Sequence, residues 1–238
     1  MTLHQTLKLA LAGLSLAALT GAAKPDPNNP TCPAEPNWGP SEIMELTPRD
    51  INGKRVLLAE GRIDADFPDR LKEAIEEDEM IDEIWLRSQG GNARAGNEAG
   101  RFINSTGYLV TRIPEGWVCF SSCNFMFMGG QRRKVDEGGV FMVHMFTHTN
   151  DRWKIDDAVV DGSEATTELI ASIEQSSALL ASEDNDFLIR MGISRDLLTE
   201  VMYRQQAIKS DKNPSTRYCL SQEEVLKYNV KTRERPAP

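Results

Sequence analysis

The chain has 238 residues, enough for one large domain with a tail, and 40% of them are hydrophobic, which is sufficient for a proper core. Its 36 acidic residues outnumber 27 basic ones, and the net charge of −9 argues against nucleic acid and anionic membrane as partners.

The opening "MTLHQTLKLALAGLSLAALTGAAKP" has a short start with Lys8, an apolar run from Leu9 to Leu19, and small residues from Thr20 to Ala23. That is the layout of a cleavable export signal over 1–23, cut after Ala22 or Ala23. The apolar run is shorter than the roughly 20 residues a spanning helix needs. No cysteine follows it directly, so a lipid anchor is disfavoured. A periplasmic or secreted protein is the expectation.

Residues 24–40, "KPDPNNPTCPAEPNWGP", hold half of the 12 prolines. They cannot be helical and read as an extended tether, placed at 24–45, which Cys32 can pin to a domain spanning 46–238. "KRVLLAEGRI" (54–63) predicts a strand and "DADFPDRLKEAIEEDE" (64–79) a helix with Phe67, Leu71 and Ala74 on one face. A second strand, "IDEIWLRS" (81–88), ends in "QGGN". The small-residue helix 93–107 carries Phe102 and Ile103 and stops at Gly107. "YLVTRI" (108–113) and "GWVCF" (116–120) predict strands, 122–128 a compact helix, and "GGVFMVHMF" (138–146) a fifth strand. Between them, Arg132, Arg133 and Lys134 read as a solvated turn. A helix over 165–191 follows, with Leu169, Ile173, Leu180 and Leu188 at near-helical spacing, and another over 195–207. The tail "TRYCLSQEEVLKYNV" reads as a short strand and then a helix opened by Ser221. This alternation predicts crossover units and a largely parallel α/β sheet.

Four cysteines, Cys32, Cys119, Cys123 and Cys219, lie beyond the signal. An even number in an exported chain predicts pairing, with three connectivities available. Residues four apart across a strand-to-helix turn can bring their Cα atoms within bridging range, about 5–6 Å. On that ground Cys119 pairs with Cys123, leaving Cys32 for Cys219. Metal binding is the rival use. The mature chain, however, would hold only His144 and His148, and their spacing does not converge on a strand.

Three features stand at the C-terminal ends of predicted strands, where open α/β sheets place their sites. In "RSQGGN", Gly90 and Gly91 let backbone N–H groups face a cleft, or simply make a tight turn. In "CFSSC", a serine at a strand-to-helix junction is either a nucleophile beside a helix N-terminus or its cap. His144, ending an apolar strand, is either a base for that serine or a core residue with a partner.

Together, "LRSQGG…VCFSSCNFMFMGGQRRKVDEGGVFMVH" resembles the ClpP-like branch of the ClpP/crotonase superfamily. The resemblance runs over roughly 54–230 and implies that superfamily's spiral of β-β-α units with a helical C-terminal third. Matched on Gly130, it implies Ser121 as nucleophile and His144 as base, with Gly90 and the Ser122 N–H at the oxyanion positions. Ser122 would also cap the following helix. The flanking cysteines look most like exported bacterial members with a C-x-S-x-C turn. In ClpP an aspartate ahead of the closing segment orients the histidine. Here that position falls near Thr216, and Asp211 is the nearest acid upstream. Without such an acid the site is a dyad, or inactive.

The resemblance implies a serine peptidase with no cofactor, acting on peptide or unfolded-protein substrates. Export separates it from ATP-driven unfoldases. The family also implies a homo-oligomer. A catalytically silent binding or scaffold protein on the same fold is the alternative. An acyl-CoA hydratase or isomerase shares the superfamily, but coenzyme A is cytoplasmic and would leave Ser121 without a use.

Overall fold

The computed structural model describes residues 24–233, so the expected export signal at 1–23 lies outside the described residues. The proline-rich segment is extended, as its prolines require, but it folds back into a hairpin of β1 (Pro25–Asp26) and β2 (Asn29–Pro33). Cys32 is bonded to Cys219, and the buried Asn29 side chain donates to the Arg217 carbonyl at 2.8 Å. The segment is therefore strapped to the C-terminal part of the chain.

Next come β3 (Glu45–Ile51) and β4 (Lys54–Glu60), joined antiparallel by Asn52-Gly53. Both turn residues have positive φ, 51° and 76°, which suits a two-residue hairpin. The sequence reading missed β3. It is an edge strand with half-exposed residues and Pro48, so it lacks the alternation that marks a half-buried strand.

The chain then alternates through α1 (Phe67–Glu77), β5 (Ile81–Arg87), α2 (Ala93–Ser105), β6 (Val110–Ile113), β7 (Val118–Phe120), α3 (Cys123–Met128), β8 (Arg132–Val135) and β9 (Val140–His144). Strands β4, β5, β6 and β8 are parallel neighbours in one sheet, with β3 on its edge. A largely parallel sheet is what the strand–helix alternation predicts. A smaller sheet pairs β9 parallel to β7 and antiparallel to β10 (Arg217–Cys219). The Arg132–Lys134 turn expected from the sequence is instead β8. Arg133 is buried, and its guanidinium donates to the carbonyls of Gly130, Asn229 and Val230. Three neutral acceptors hold the charge there, and burial lowers its pKa to about 10. Through it the last residues are stitched to the sheet.

Helices α2 and α3 lie against each other at backbone distance. A Cβ on Gly96 would meet the Ser122 carbonyl oxygen at 2.5 Å, and one on Gly100 the Phe125 carbonyl oxygen at 2.3 Å. Glycine at these two positions sets how deep α3 sits.

Beyond β9, α4 (Arg152–Asp161) and α5 (Ser163–Arg190) form a helical arm. The sequence reading had only the second of these. In α4 no residue is buried, and α5 buries only Asp184, Phe187 and Leu188 near its end. There Phe187 packs edge-on against Phe125, ring centres 5.1 Å apart. The helix expected over 195–207 is shorter and irregular, a π turn at Leu197–Val201 followed by a 3-10 turn at Met202–Arg204. Helix α6 (Gln222–Lys227) begins with the expected Ser221, whose side chain and Glu224 form a capping box. Among the described residues, no helix is long and apolar enough to cross a membrane.

Candidate active site

The site exists because β5 runs on past the large sheet. The Ser88 N–H donates to the Val118 carbonyl at 2.9 Å, and the Phe120 N–H donates to the Ser88 carbonyl at 3.0 Å. This bridge lays the Gly90-Gly91 loop beside the end of β7. Ser121 follows with φ at 58°, a left-handed conformation uncommon for a side-chain-bearing residue. Such backbone costs on the order of 1–3 kcal/mol and persists only where its surroundings fix it. Here they do. Cys119 and Cys123 are disulfide-bonded across the turn with Cα atoms 5.4 Å apart, the pairing expected from their spacing. The Asn124 N–H donates to the Ser121 carbonyl at 2.9 Å, and Asn124 Nδ2 donates to the Met142 carbonyl at 2.7 Å, tying α3 to β9.

Gly90 has φ at 85°, and a Cβ there would lie 2.6 Å from both the Phe120 carbonyl oxygen and Ser121 Cβ. Only glycine fits. Its N–H, however, donates to Ser88 Oγ at 3.0 Å, and that hydroxyl donates to the Gly61 carbonyl at 2.5 Å. The oxyanion role expected of Gly90 is therefore corrected: its own donor is already committed. Among the described residues, the N–H groups of Gly91 and Ser122 donate to no protein acceptor. Ser122 needs a correction too. It adopts helical φ and ψ and its side chain makes no cap. Its hydroxyl is buried without a partner.

His144 ends β9, and its Nε2 lies 2.7 Å from Ser121 Oγ. The Phe120 ring flanks the imidazole at 4.7 Å between centres. Burial pushes the histidine pKa down, a hydrogen bond with the Met145 backbone works the other way, and the positive charge of Arg217 lowers it further. Arg217 is the residue directly opposite His144 in the β9–β10 ladder. Asp211, the expected orienting acid, is exposed in the loop before β10 and makes no hydrogen bond with His144. Arg217, whose guanidinium lies over the Trp38 and Phe120 rings, thus stands across the ladder from His144, and no acid is hydrogen-bonded to the imidazole among the described residues. His148 lies apart, its Nδ1 3.2 Å from Asp151. Among the described residues, no group of three His, Cys, Asp or Glu side chains is placed to hold a metal.

A narrow cleft opens at Ser121 and His144 and is closed by Phe125, Phe146, Asp184 and Tyr203. Asp184, on α5, is 5% exposed and has no hydrogen bond among the described residues. Burial, and then the Glu183 charge, push its carboxyl up to about 7. Burial, and then Asp184, push the Tyr203 phenol up to about 12.

No protein-family model matches the chain, and no curated protein matches it. Among solved structures it is similar to a point mutant of ClpP1 from Listeria monocytogenes. The identity is 14% and the TM-score 0.48, over 74% of this chain and 88% of that one. It is also similar to a point mutant of the membrane-bound stomatin-specific protease 1510-N, at 15% identity and TM-score 0.46, covering 74% and 75%. Unmutated ClpP1 from Listeria monocytogenes gives 13% and 0.46, covering 74% and 88%. The roles of the site residues rest on the site's own geometry.

Sequence reasoning named both glycines but gave the oxyanion position to Gly90, because a glycine pair does not say which N–H is spent internally. It missed Asp184, which left a signal: it sits at helical spacing with Leu180, Phe187 and Leu188, so an acid occupies the apolar face of α5.

Proposed function

We propose that the protein is an exported, ATP-independent serine peptidase that cleaves peptides or unfolded chains by acyl transfer. The observation that carries this reading is the 2.7 Å approach of His144 Nε2 to Ser121 Oγ, with Ser121 on a left-handed turn. Ser121 Oγ attacks the scissile carbonyl carbon while its proton passes to His144 Nε2. The carbonyl oxygen becomes an oxyanion, received by the N–H groups of Gly91 and Ser122, the latter at the start of α3. Collapse breaks the C–N bond, and His144 returns the proton to the departing amine. A water, deprotonated by the same histidine, then hydrolyses the acyl-enzyme. His144 Nε2 accepts from the serine, and no acid side chain is hydrogen-bonded to the imidazole among the described residues.

The two disulfides fit an oxidising compartment, and export places the mature chain, beginning near Lys24, in the periplasm or outside the cell. No unfoldase feeds it there, so its substrates are short or already unfolded. Residues 24–45 tie onto the domain at 46–238. The exposed Trp153, Val159, Val160 and Ile170 of the arm support a homo-oligomer, to be read by sedimentation.

A second reading has its own observation: Arg217, not an acid, faces His144, which suits a silent binding protein on the same fold. Labelling of the oxidised, folded protein by a fluorophosphonate separates the two. Labelling that disappears in Ser121→Ala is the expected result, and an unlabelled native protein would leave the binding module.

A further inference from the structure

Arg217 handles no proton in the reaction just described, yet it is the residue directly opposite His144 in the β9–β10 ladder. Residues paired across an antiparallel ladder point to the same face of the sheet, with Cβ atoms about 5 Å apart. The Arg217 backbone is held firmly. Its carbonyl accepts from Asn29 Nδ2 at 2.8 Å and from Ser215 Oγ at 3.3 Å, and its N–H donates to Ser215 Oγ at 3.2 Å. Its guanidinium lies over the Trp38 and Phe120 rings, with Cζ 5.6 and 5.9 Å from their centres, and the same Phe120 ring flanks the imidazole. Stacking covers the flat face of a guanidinium and leaves the N–H groups in its plane free to donate. Among the described residues, the hydrogen bonds of Arg217 are all made by its backbone, and no acid pairs with its side chain. The side chain is half-buried, and its nitrogens stay open to solvent. A fixed, unpaired fork of donors suits a carboxylate.

We propose that Arg217 is a specificity determinant on the leaving-group side and selects substrates with a carboxylate on the residue released as the amine. This rests on the peptidase reading. The choice of side follows from the ladder. His144 returns its proton to the departing amine, so the nitrogen of the released residue lies at Nε2, and Arg217 is the side chain beside that imidazole on the same face. An α-carboxylate sits on the carbon next to that nitrogen, and an aspartate side chain reaches little further. Both fall within range of an arginine whose Cβ is about 5 Å from that of the histidine. A carboxylate bound there favours the imidazolium, which opposes the effect of Arg217 on the empty site.

Two measurements on the full, oxidised protein test this. The first needs no catalysis. It follows the titration of His144 by proton NMR in Ser121→Ala, with the signal identified by its loss in Ser121→Ala/His144→Gln. Dialanine, with a free carboxylate, is expected to move the His144 midpoint upward, and dialaninamide is not. The dialanine shift is expected to vanish in Ser121→Ala/Arg217→Gln. Asp184 and Tyr203, the other titratable groups lining the cleft, are the same in both backgrounds. The second measurement is kcat/KM, by chromatography, for peptides whose last residue is alanine with a free carboxylate, alanine amide or aspartate amide. A carboxylate on that residue is expected to speed its release about tenfold or more over alanine amide, as a charge-assisted hydrogen bond does. That preference should fall to about one in Arg217→Gln, with Arg217→Lys keeping part of it. A preference for the free terminus assigns the carboxylate to the chain end, and one for aspartate amide assigns it to the side chain; either supports the proposal. Circular dichroism identifies a variant that fails to fold, and Arg217→Lys then supplies the comparison. Equal cleavage of all three peptides, with no dialanine shift, would overturn the carboxylate site and keep the peptidase. A dialanine shift that needs Arg217, in a protein that cleaves no peptide and takes no fluorophosphonate label, would overturn the peptidase reading and keep the carboxylate site.

Discussion

The two halves of the candidate site are held in very different ways. At the β7–α3 turn, Ser121 is fixed by several links: a disulfide, the Ser88 bridge, the Asn124 tie, and Gly90 pressed against it. At the end of β9, His144 has Ser121 and the Phe120 ring, with a cation across the ladder and no acid hydrogen-bonded to it among the described residues. The proposed nucleophile is over-determined and the proposed base is under-determined. A reaction that depends on both should be sensitive to small backbone changes on the serine side and to charge on the histidine side.

The largest effects come from removing either partner. Ser121→Ala and His144→Ala are each expected to lower peptide cleavage by at least about 1,000-fold, with the double variant no worse than either alone. A double variant markedly slower than both singles would mean that the two do not act as a unit. Gly90→Ala comes next. A Cβ placed 2.6 Å from a carbonyl oxygen and from Ser121 Cβ must displace the turn, and a loss of about 100-fold in kcat is expected. Unchanged kinetics would show that the serine turn is less tightly set than its contacts imply.

The two disulfides sharpen the contrast, because they do different things. Cys119–Cys123 closes a loop with a sequence separation of 4 and contributes only about 2 kcal/mol of stability, whereas Cys32–Cys219 spans 187 and contributes about 5. Cys119→Ser/Cys123→Ser should therefore cost activity, roughly tenfold, with a small drop in Tm. Cys32→Ser/Cys219→Ser should lower Tm much more and affect kcat less. Calorimetry beside kinetics distinguishes the two, and equal losses in both variants would break the distinction.

The smallest effects lie on the histidine side. With a substrate lacking ionisable groups, kcat/KM should rise with pH as His144 loses its proton, at a midpoint below 6.5, because burial and Arg217 both disfavour the imidazolium. Arg217→Gln removes one of those causes, so the midpoint should move upward. A downward shift would contradict the placement of that charge. Asp211→Asn should change activity by less than about twofold, as expected for an exposed residue with no contact to the imidazole.

Much of this was written locally. The alternation of apolar residues gave the central strands and α1, and the small-residue run marked α2. Glycine pair, serine turn and histidine stood in order at strand ends, and the spacing of Cys119 and Cys123 suited a staple. Those features depend on neighbours a few residues away, so a linear reading reaches them. The elements it missed gain their stability elsewhere: β3 from pairing with β4 on an edge, and β8 from pairing with β6 and from the distant Asn229 and Val230 carbonyls around Arg133.

What the sequence by itself determined is which residues are candidates for chemistry: a serine on a turn, a histidine on a strand end, glycines that permit close approach. Tertiary structure alone decided how those groups are used. It spent the Gly90 N–H on Ser88, put Arg217 rather than Asp211 opposite His144, and carried Asp184 from an apolar helix face into the cleft. Each of these depends on register and packing between segments far apart in the chain. Such contacts are set by which surfaces bury one another, and no local pattern of residues encodes them.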